Sequence, residues 1–332
     1  MKKTNTKSFI LGIIVCVLVY LGYSYTKFIK TPLDINDENK VSFLILKQTT
    51  PAYLADKLEE KGIISSSTFF LIHLKLNNLD KTIKTGRFYF SKSQSPKEIA
   101  ETLTNSQAGE IIFTIPEGYT IEDIDKKLTK EGFIKENEFH NCIYSTCTRP
   151  DYPEIPNSGS LEGYLFPDTY YLNPGEFTPQ SFLNRLINNF HNKWETVDTS
   201  ASNRSAQDII TMASILEKEV RTDPDRPLVA GILWKRLDSQ WALGADATII
   251  YATKNLNINA ADLKIKSPYN TRKFLGLPPT AICNPGLKSL TAAANPEDSN
   301  NWFYLTEPGT GRVIYSYSNE EHNRNKVRYL SQ

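Results

Sequence analysis

Phe9 to Tyr25 is an almost unbroken apolar run of 17 residues, preceded by Lys2, Lys3 and Lys7 with no acid among them. A helix of that length only just crosses the hydrocarbon of a bilayer, and Tyr23 and Tyr25 fall where aromatic rings favour the interface. A cleaved signal peptide has the same order of charge and apolar run. Leu21-Gly22-Tyr23-Ser24-Tyr25 offers no small-x-small cleavage site, however, and Cys16 follows Val15 rather than the small residue of a lipoprotein box. The run therefore reads as an uncleaved anchor. A cytoplasmic tail is expected over 1–8 and a transmembrane helix over 9–29, with everything after them exported.

The rest of the chain is long enough for two modest domains, each with its own core. The 332 residues are 40% apolar and 23% charged, as in ordinary globular proteins. With 38 basic and 37 acidic residues the net charge is +1, which supplies no basic face for nucleic acid. Cys142 and Cys147 are close enough in sequence to pair outside the cytoplasm, although four unpaired cysteines fit equally well. No Cys/His spacing suits zinc and the four histidines are scattered, so no metal site is predicted.

Residues 30–40 are polar, carry Pro32 and three acids, and read as a linker. After it a pattern recurs at an offset of 70 residues. In the first copy Val41, Phe43 and Ile45 alternate as a strand, and Thr50 caps a helix bearing Leu54 and Leu58. Gly62 stops that helix before Ile63-Ile64. Ile111, Phe113, Ile115, Thr120, Ile124, Leu128, Gly132 and Phe133-Ile134 repeat it, and Phe69 and Phe139 match in the next helix. Gly86 to Phe90 reads as a further strand, and Ser95-Pro96 opens another helix. The β-α-α-β unit over 41–109 resembles the LysM modules that hold peptidoglycan, and a duplicated scaffold that touches no sugar fits the pattern as well. The second copy and a Pro/Gly-rich hinge from Tyr152 to Gly159 occupy 110–157.

Beyond the hinge, helices are predicted over 177–194, 205–221 and 228–237, with a hairpin around Pro308-Gly309-Thr310-Gly311. Ser205 to Asp208 forms a capping box. On a helical wheel Ile209, Ala213, Leu216 and Val220 share one stripe, and Glu217 lies about 60° from its centre. An ionised carboxylate is costly to bury, so a Glu in that position is the kind of residue that holds a proton as a general acid. The competing reading is an ion pair with Arg221, one turn later. Glu219 projects roughly 160° away, so this helix alone makes no carboxylate pair. Leu161 to Tyr170 is a compact aromatic and acidic loop in which Tyr164, Asp168 or Tyr170 are placed to line a cleft. Ser267 to Thr271, Gly276 to Pro279 and Asn284 to Gly286 read as rigid irregular loops. They suit the fixing of sugar hydroxyl and acetamido groups, with turn chemistry around a core as the alternative.

Taken in order, several of these segments resemble one family, the YceG-like (MltG) endolytic murein transglycosylases. The carrying residues are LEGYLFPDTY from Leu161, ASILEKE from Ala213, SPYN from Ser267, GLPP from Gly276, NPG from Asn284 and Glu321-His322-Asn323. The resemblance extends from about Val41 to Leu330. It implies an α+β chain: a transmembrane helix, a LysM-like β-α-α-β module, then a mixed α/β catalytic domain over 158–332. It implies Glu217 as the catalytic residue, with Tyr164, Tyr269, Asn270 and Asn284 bordering the cleft; Asp168 and Asp246 complete the expected substrate contacts. One carboxyl then suffices. Glu217 protonates the bond between MurNAc and GlcNAc, the acetamido group steadies the cation, and the C6 hydroxyl closes a 1,6-anhydro ring, with no cofactor.

The resemblance further implies a single-pass protein of the cell (inner) membrane, with peptidoglycan strands as substrate and partners in the cell-wall synthesis machinery. A role in ending strand growth follows from the same likeness. Asp246-Ala247-Thr248, Arg272 and Thr280 depart from the family's Asp-Pro-Thr, Tyr and Gly; none removes a proposed catalytic group, and Arg272 and Thr280 are the two that bear on the expected subsite contacts. Two other classes compete. A hydrolytic muramidase would need a second acid, from Asp246, Glu162 or Asp168, and a glycan-binding scaffold would release nothing.

Overall fold

The computed structural model describes residues 6–105 and 109–330. Lys2 and Lys3, and with them most of the expected cytoplasmic tail, lie outside the described residues. The chain is mixed α/β and forms two compact units, the first comprising the residues through Ile112 with Glu131–Phe133 and Tyr171–Phe177.

This first unit contains α1 (Thr6–Lys30), β1 (Val41–Ile45), α2 (Pro51–Glu60), α3 (Ser67–Leu76), β2 (Gly86–Phe90) and α4 (Pro96–Asn105). α1 is long and apolar enough to cross a membrane, and its side chains from Ile10 to Leu21 stand exposed. Its last turns pack on the unit instead: the Tyr25 hydroxyl meets His73 Nδ1 at 3.0 Å, and Phe28 lies 5.6 Å from Phe69. Thr50 caps α2 by accepting the Tyr53 N–H at 3.2 Å. Gly62 then takes φ +64°, a left-handed turn in which a side chain is strained. β1 and β2 pair antiparallel, with Phe43 opposite Phe88 and Ile45 opposite Gly86. Their alternate residues face a core completed by Leu54, Leu58, Phe70, Leu74, Ile99 and Leu103. The β-α-α-β order expected here is therefore present.

The second unit comprises Phe113–Lys130, Ile134–Tyr170 and the chain from Thr178 onward. After α4 the chain forms β3 (Ile111–Thr114), α5 (Ile121–Glu131), α6 (Glu138–Asn141), β4 (Thr169–Leu172) and α7 (Pro179–Trp194). It continues with α8 (Ala206–Glu219), α9 (Arg226–Asp238), α10 (Asp246–Thr253), α11 (Leu287–Ala294), β5 (Phe303–Thr306), β6 (Val313–Ser316) and α12 (Asn319–Leu330). The second copy of the repeat is visible, with Gly132 at φ +86°, but α6 is a single turn that continues as a π-turn to Thr146. Cys142 and Cys147 bridge that turn as a disulfide. Phe113 and Phe139 pack on Phe182 of α7 at 5.6 and 5.8 Å, which ties this copy to the second unit. The Pro/Gly-rich segment from Tyr152 to Gly159 makes several contacts. Tyr152 stacks on His191 at 3.9 Å, and Arg149 donates to the carbonyls of Pro156 and Gly159 at 2.8 and 2.6 Å.

α8 is the centre of this unit, buried from Ile209 through Leu216. Ser205 caps it by accepting the Asp208 N–H at 3.1 Å, and the Asp208 carboxylate takes the Ser205 hydroxyl rather than closing a capping box on the backbone. α11 packs along α8, and α9 packs on α11, where Trp234 Nε1 donates to the Ala293 carbonyl at 2.9 Å. The predicted hairpin is β5 and β6, antiparallel with Phe303 opposite Ser316.

Candidate active site

Glu217 stands in the last turns of α8 with its side chain 8% exposed. Its Oε2 accepts the Gly286 N–H at 3.0 Å and the Ser289 hydroxyl at 2.8 Å. Both donors come from the start of α11, where helix N–H groups lack partners and an anion is favoured. Oε1 has no hydrogen bond among the described residues and faces the Arg226 guanidinium at 3.6 Å. Arg226, the first residue of α9 and 7% exposed, also pairs with Asp223, which pairs in turn with Lys288. The ion partner of Glu217 is thus Arg226 and not Arg221. α8 ends at Glu219 and Val220 is extended (φ −118°, ψ 118°), so Arg221 does not stand one helical turn after Glu217.

A second carboxylate, Glu117, reaches the same place from the turn before α5. A Cβ at Gly118, whose φ is +79°, would lie 3.7 Å from Glu217 Cγ and 3.2 Å from Lys218 Nζ. A Cβ at Gly286 would overlap the Glu117 carboxylate. Gly286 therefore borders both acids: its N–H holds Glu217, and its missing side chain makes room for Glu117. Partial burial of its carboxyl, then the charge of Glu217, raises Glu117 above the ordinary carboxylate range. Helical spacing reveals none of Glu117, Ser289 and Arg226, because they lie on other elements. The one signal in the sequence is the glycine of Asn284-Pro285-Gly286, a position where backbone and a foreign side chain come close.

The other predicted site residues divide. Asn284 is fully buried: Oδ1 accepts the N–H groups of Gly163 and Leu165 at 3.0 and 2.9 Å, and Nδ2 donates to the Tyr119 carbonyl and Glu162 at 2.9 and 3.2 Å. All four bonding positions of its amide are used within the protein. Glu162, 3% exposed, also accepts the Ile121 N–H at 3.0 Å and the Tyr251 hydroxyl at 3.3 Å, and burial pushes its carboxyl up to about 8. Asn270 is likewise buried, donating to the carbonyls of Leu263 and Ile265, both at 3.1 Å. Tyr164 packs edge-on against Phe190 at 5.4 Å, and burial raises its hydroxyl to about 12. Asp168 is exposed and accepts from the Thr169 N–H and the Asn189 amide at 2.7 and 3.1 Å. Two residues that depart from the family pattern find partners in the predicted set: Arg272 pairs with Asp246 at 2.7 Å, and Thr280 bonds the half-buried Tyr269 hydroxyl at 2.7 Å.

A groove of about 1240 Å³ is lined by Lys218, Glu219, Arg236, Trp241, Asp246 and Tyr304 among others, but not by Glu217. Glu219 is its inner carboxylate. It accepts the Ala247 N–H at the start of α10 and the Tyr304 hydroxyl, both at 3.4 Å, and burial raises its carboxyl above the ordinary range. Both acids meet a helix start, but both oxygens of Glu219 are hydrogen-bonded while Oε1 of Glu217 has no hydrogen bond among the described residues, so of the two Glu217 is the acid with an oxygen open to a further partner. The groove borders the Glu217 site through Lys218, which lines the one and lies beside Gly118 in the other.

Residues 43–328 match the family model described as YceG-like family, and the chain belongs to that family. A relative from Streptococcus pneumoniae (strain D39), named endolytic murein transglycosylase, is 27% identical over 370 residues, covering 99% of this chain and 66% of that protein. This chain thus spans 66% of the length of that relative. A relative of the same name from Bacillus subtilis (strain 168) is 27% identical over 332 residues, covering 93% of this chain and 90% of the other. The crystal structure of a putative YceG-like protein from Listeria monocytogenes is similar at a TM-score of 0.60 and 28% identity, over 87% of this chain and 99% of that one.

Proposed function

We propose that this chain cuts peptidoglycan glycan strands within their length, at the MurNAc–GlcNAc bond, and leaves 1,6-anhydro-MurNAc ends. The observation that carries the reading is the seat of Glu217. Its Oε2 is engaged by two donors, so Oε1 is the oxygen free to hold a transferable proton, and Arg226 stands 3.6 Å away to receive the charge left behind. In the first step the Glu217 carboxyl gives its proton to the glycosidic oxygen as the C1–O bond breaks, with the MurNAc acetamido oxygen steadying C1. In the second, the Glu217 carboxylate takes the C6 hydroxyl proton as O6 bonds to C1. The proton is returned and no water is consumed.

The rest of the chain fits the same reading. α1 anchors it in the cell (inner) membrane with the N-terminus in the cytoplasm, residues 41–109 act as a LysM-like module on glycan, and residues 158–332 carry the chemistry. An enzyme held at the membrane meets strands as they are made, where its cut ends their growth beside the synthases. Asp246 and Tyr269 are the predicted contacts best placed to meet sugar. The test is digestion of purified peptidoglycan by the full chain in detergent, with products read by mass spectrometry. Glu217→Gln should lose about 100- to 10,000-fold in rate, as for a missing general acid, while Glu219→Gln keeps cleaving. Products one water heavier would make the enzyme a hydrolase, and cleavage by Glu217→Gln would remove Glu217 from its role.

A further inference from the structure

We propose that Glu117 is a positioning residue of this site, a second carboxylate whose negative charge near Glu217 opposes loss of the site's transferable proton before it is donated. The proposal rests on the reading of Glu217 as the acid. The Gly286 N–H, the Ser289 hydroxyl and Arg226 all present positive charge to the Glu217 carboxyl. Glu117, across Gly286, presents the opposite charge.

The groups around Glu217 come from six elements. They are Glu117 on the 116–118 turn, Lys218 on α8, Asp223 on the short turn before α9, Arg226 on α9, the buried Cys283 thiol in the loop before α11, and Lys288 with Ser289 on α11. Asp223 is committed to Arg226 and Lys288. Glu117 has no hydrogen bond or ion pair among the described residues, and its residue is exposed. It is held near Glu217 by shape. Gly118 turns the chain at φ +79° against Glu217 and Lys218, and Gly286 leaves the space its carboxylate fills.

Two carboxylates so placed hold one proton between them more firmly than either alone. That proton goes to the leaving oxygen. The pair is then doubly charged, and its mutual repulsion favours taking the C6 hydroxyl proton, which restores the starting state with no other reactant. The geometry also explains why Gly286 is glycine although its own φ of −77° suits any residue.

The experiment measures kcat/KM for peptidoglycan cleavage by the full chain against pH, from roughly pH 4 to pH 9 so that both limbs are seen. It compares wild type with Glu117→Gln, Glu117→Asp and Gly286→Ala, each checked by thermal melting. In Glu117→Gln the alkaline limb should move down by about one pH unit. It should stay near wild type in Glu117→Asp, and move down in Gly286→Ala, whose methyl displaces the carboxylate without changing charge. An unmoved limb in Glu117→Gln, or an equal shift in Glu117→Asp, overturns the proposal. So does a folded Glu117→Gln that cleaves at no pH, since Glu117 would then itself react. Glu217→Gln is run beside them. If it cleaves, the assignment of the acid fails; if it is silent while the other limbs coincide, only the role of Glu117 fails.

Discussion

Asn284→Ala tests whether that amide serves the fold or the sugar. In the structure it accepts from the N–H groups of Gly163 and Leu165 and donates to the Tyr119 carbonyl and to Glu162. Truncation leaves the two buried N–H groups without a partner, while Glu162 keeps the Ile121 N–H and the Tyr251 hydroxyl. Each such group costs about 1–3 kcal/mol, and entry of water or local relaxation recovers part of it. The net loss is expected near 3–5 kcal/mol, at the high end for a single substitution. At about 2–4 °C per kcal/mol for a unit of this size, the melting temperature should fall on the order of 10 °C. Circular dichroism melts of the full chain in detergent read the loss, and KM for glycan is measured on the same protein. Asn284→Asp keeps the two acceptors, loses both donors and faces Glu162, so it should recover only part of the stability. A stable Asn284→Ala, within about 0.5 kcal/mol of wild type, with a raised KM would refute the reasoning and put the amide on the substrate.

Gly231→Ala should be severe as well. A Cβ there overlaps the Glu297 carbonyl, and backbone cannot swing aside as a side chain can, so a loss of about 3 kcal/mol in denaturant melts is expected, and a wild-type midpoint would sink the argument. Glu162 gives a pH signature. Its carboxyl is raised from 4.5 to about 8 on folding, so between those values the folded chain keeps a proton the unfolded chain has lost, and stability falls as pH rises through that window. Glu162→Gln should flatten that slope in melting temperature against pH, and an unchanged slope would show that Glu162 is not its source.

Elements with a strong period were legible from the sequence. The alternation of Val41, Phe43 and Ile45, the caps at Thr50 and Ser205, and the stops at Gly62 and Gly132 all stand where local chemistry put them. α10 and α11 have eight residues each and stand among Gly- and Pro-rich loops, too short for a period to emerge. The site was legible in part for a related reason. The stripe on α8 points to Glu217, but its ion partner depends on where the helix stops, and Val220 turns the chain before Arg221 completes a turn. Asn270 and Asn284 look like sugar ligands in a loop because spacing cannot reveal that their amides close on backbone. Glu117, a hundred residues before Glu217, is invisible to any local pattern.

The two acids near the end of α8 show how one helix terminus serves two purposes. Residues two apart on a helix point roughly 200° from one another, so Glu217 and Glu219 cannot share surroundings. Each nonetheless meets the start of another helix: Glu217 takes the Gly286 N–H before α11, and Glu219 takes the Ala247 N–H in α10. Held this way, the end of α8 meets both helix starts. What separates the two acids is the remaining company. Glu219 has Tyr304 on its second oxygen, which closes it in. Glu217 keeps one oxygen without a hydrogen bond among the described residues, with Arg226 on one side and Glu117 across Gly286. A carboxylate with both oxygens hydrogen-bonded is fully committed to its neighbours; one with an open oxygen, a cation on one side and a second acid near it has the surroundings that the proposed proton transfers require.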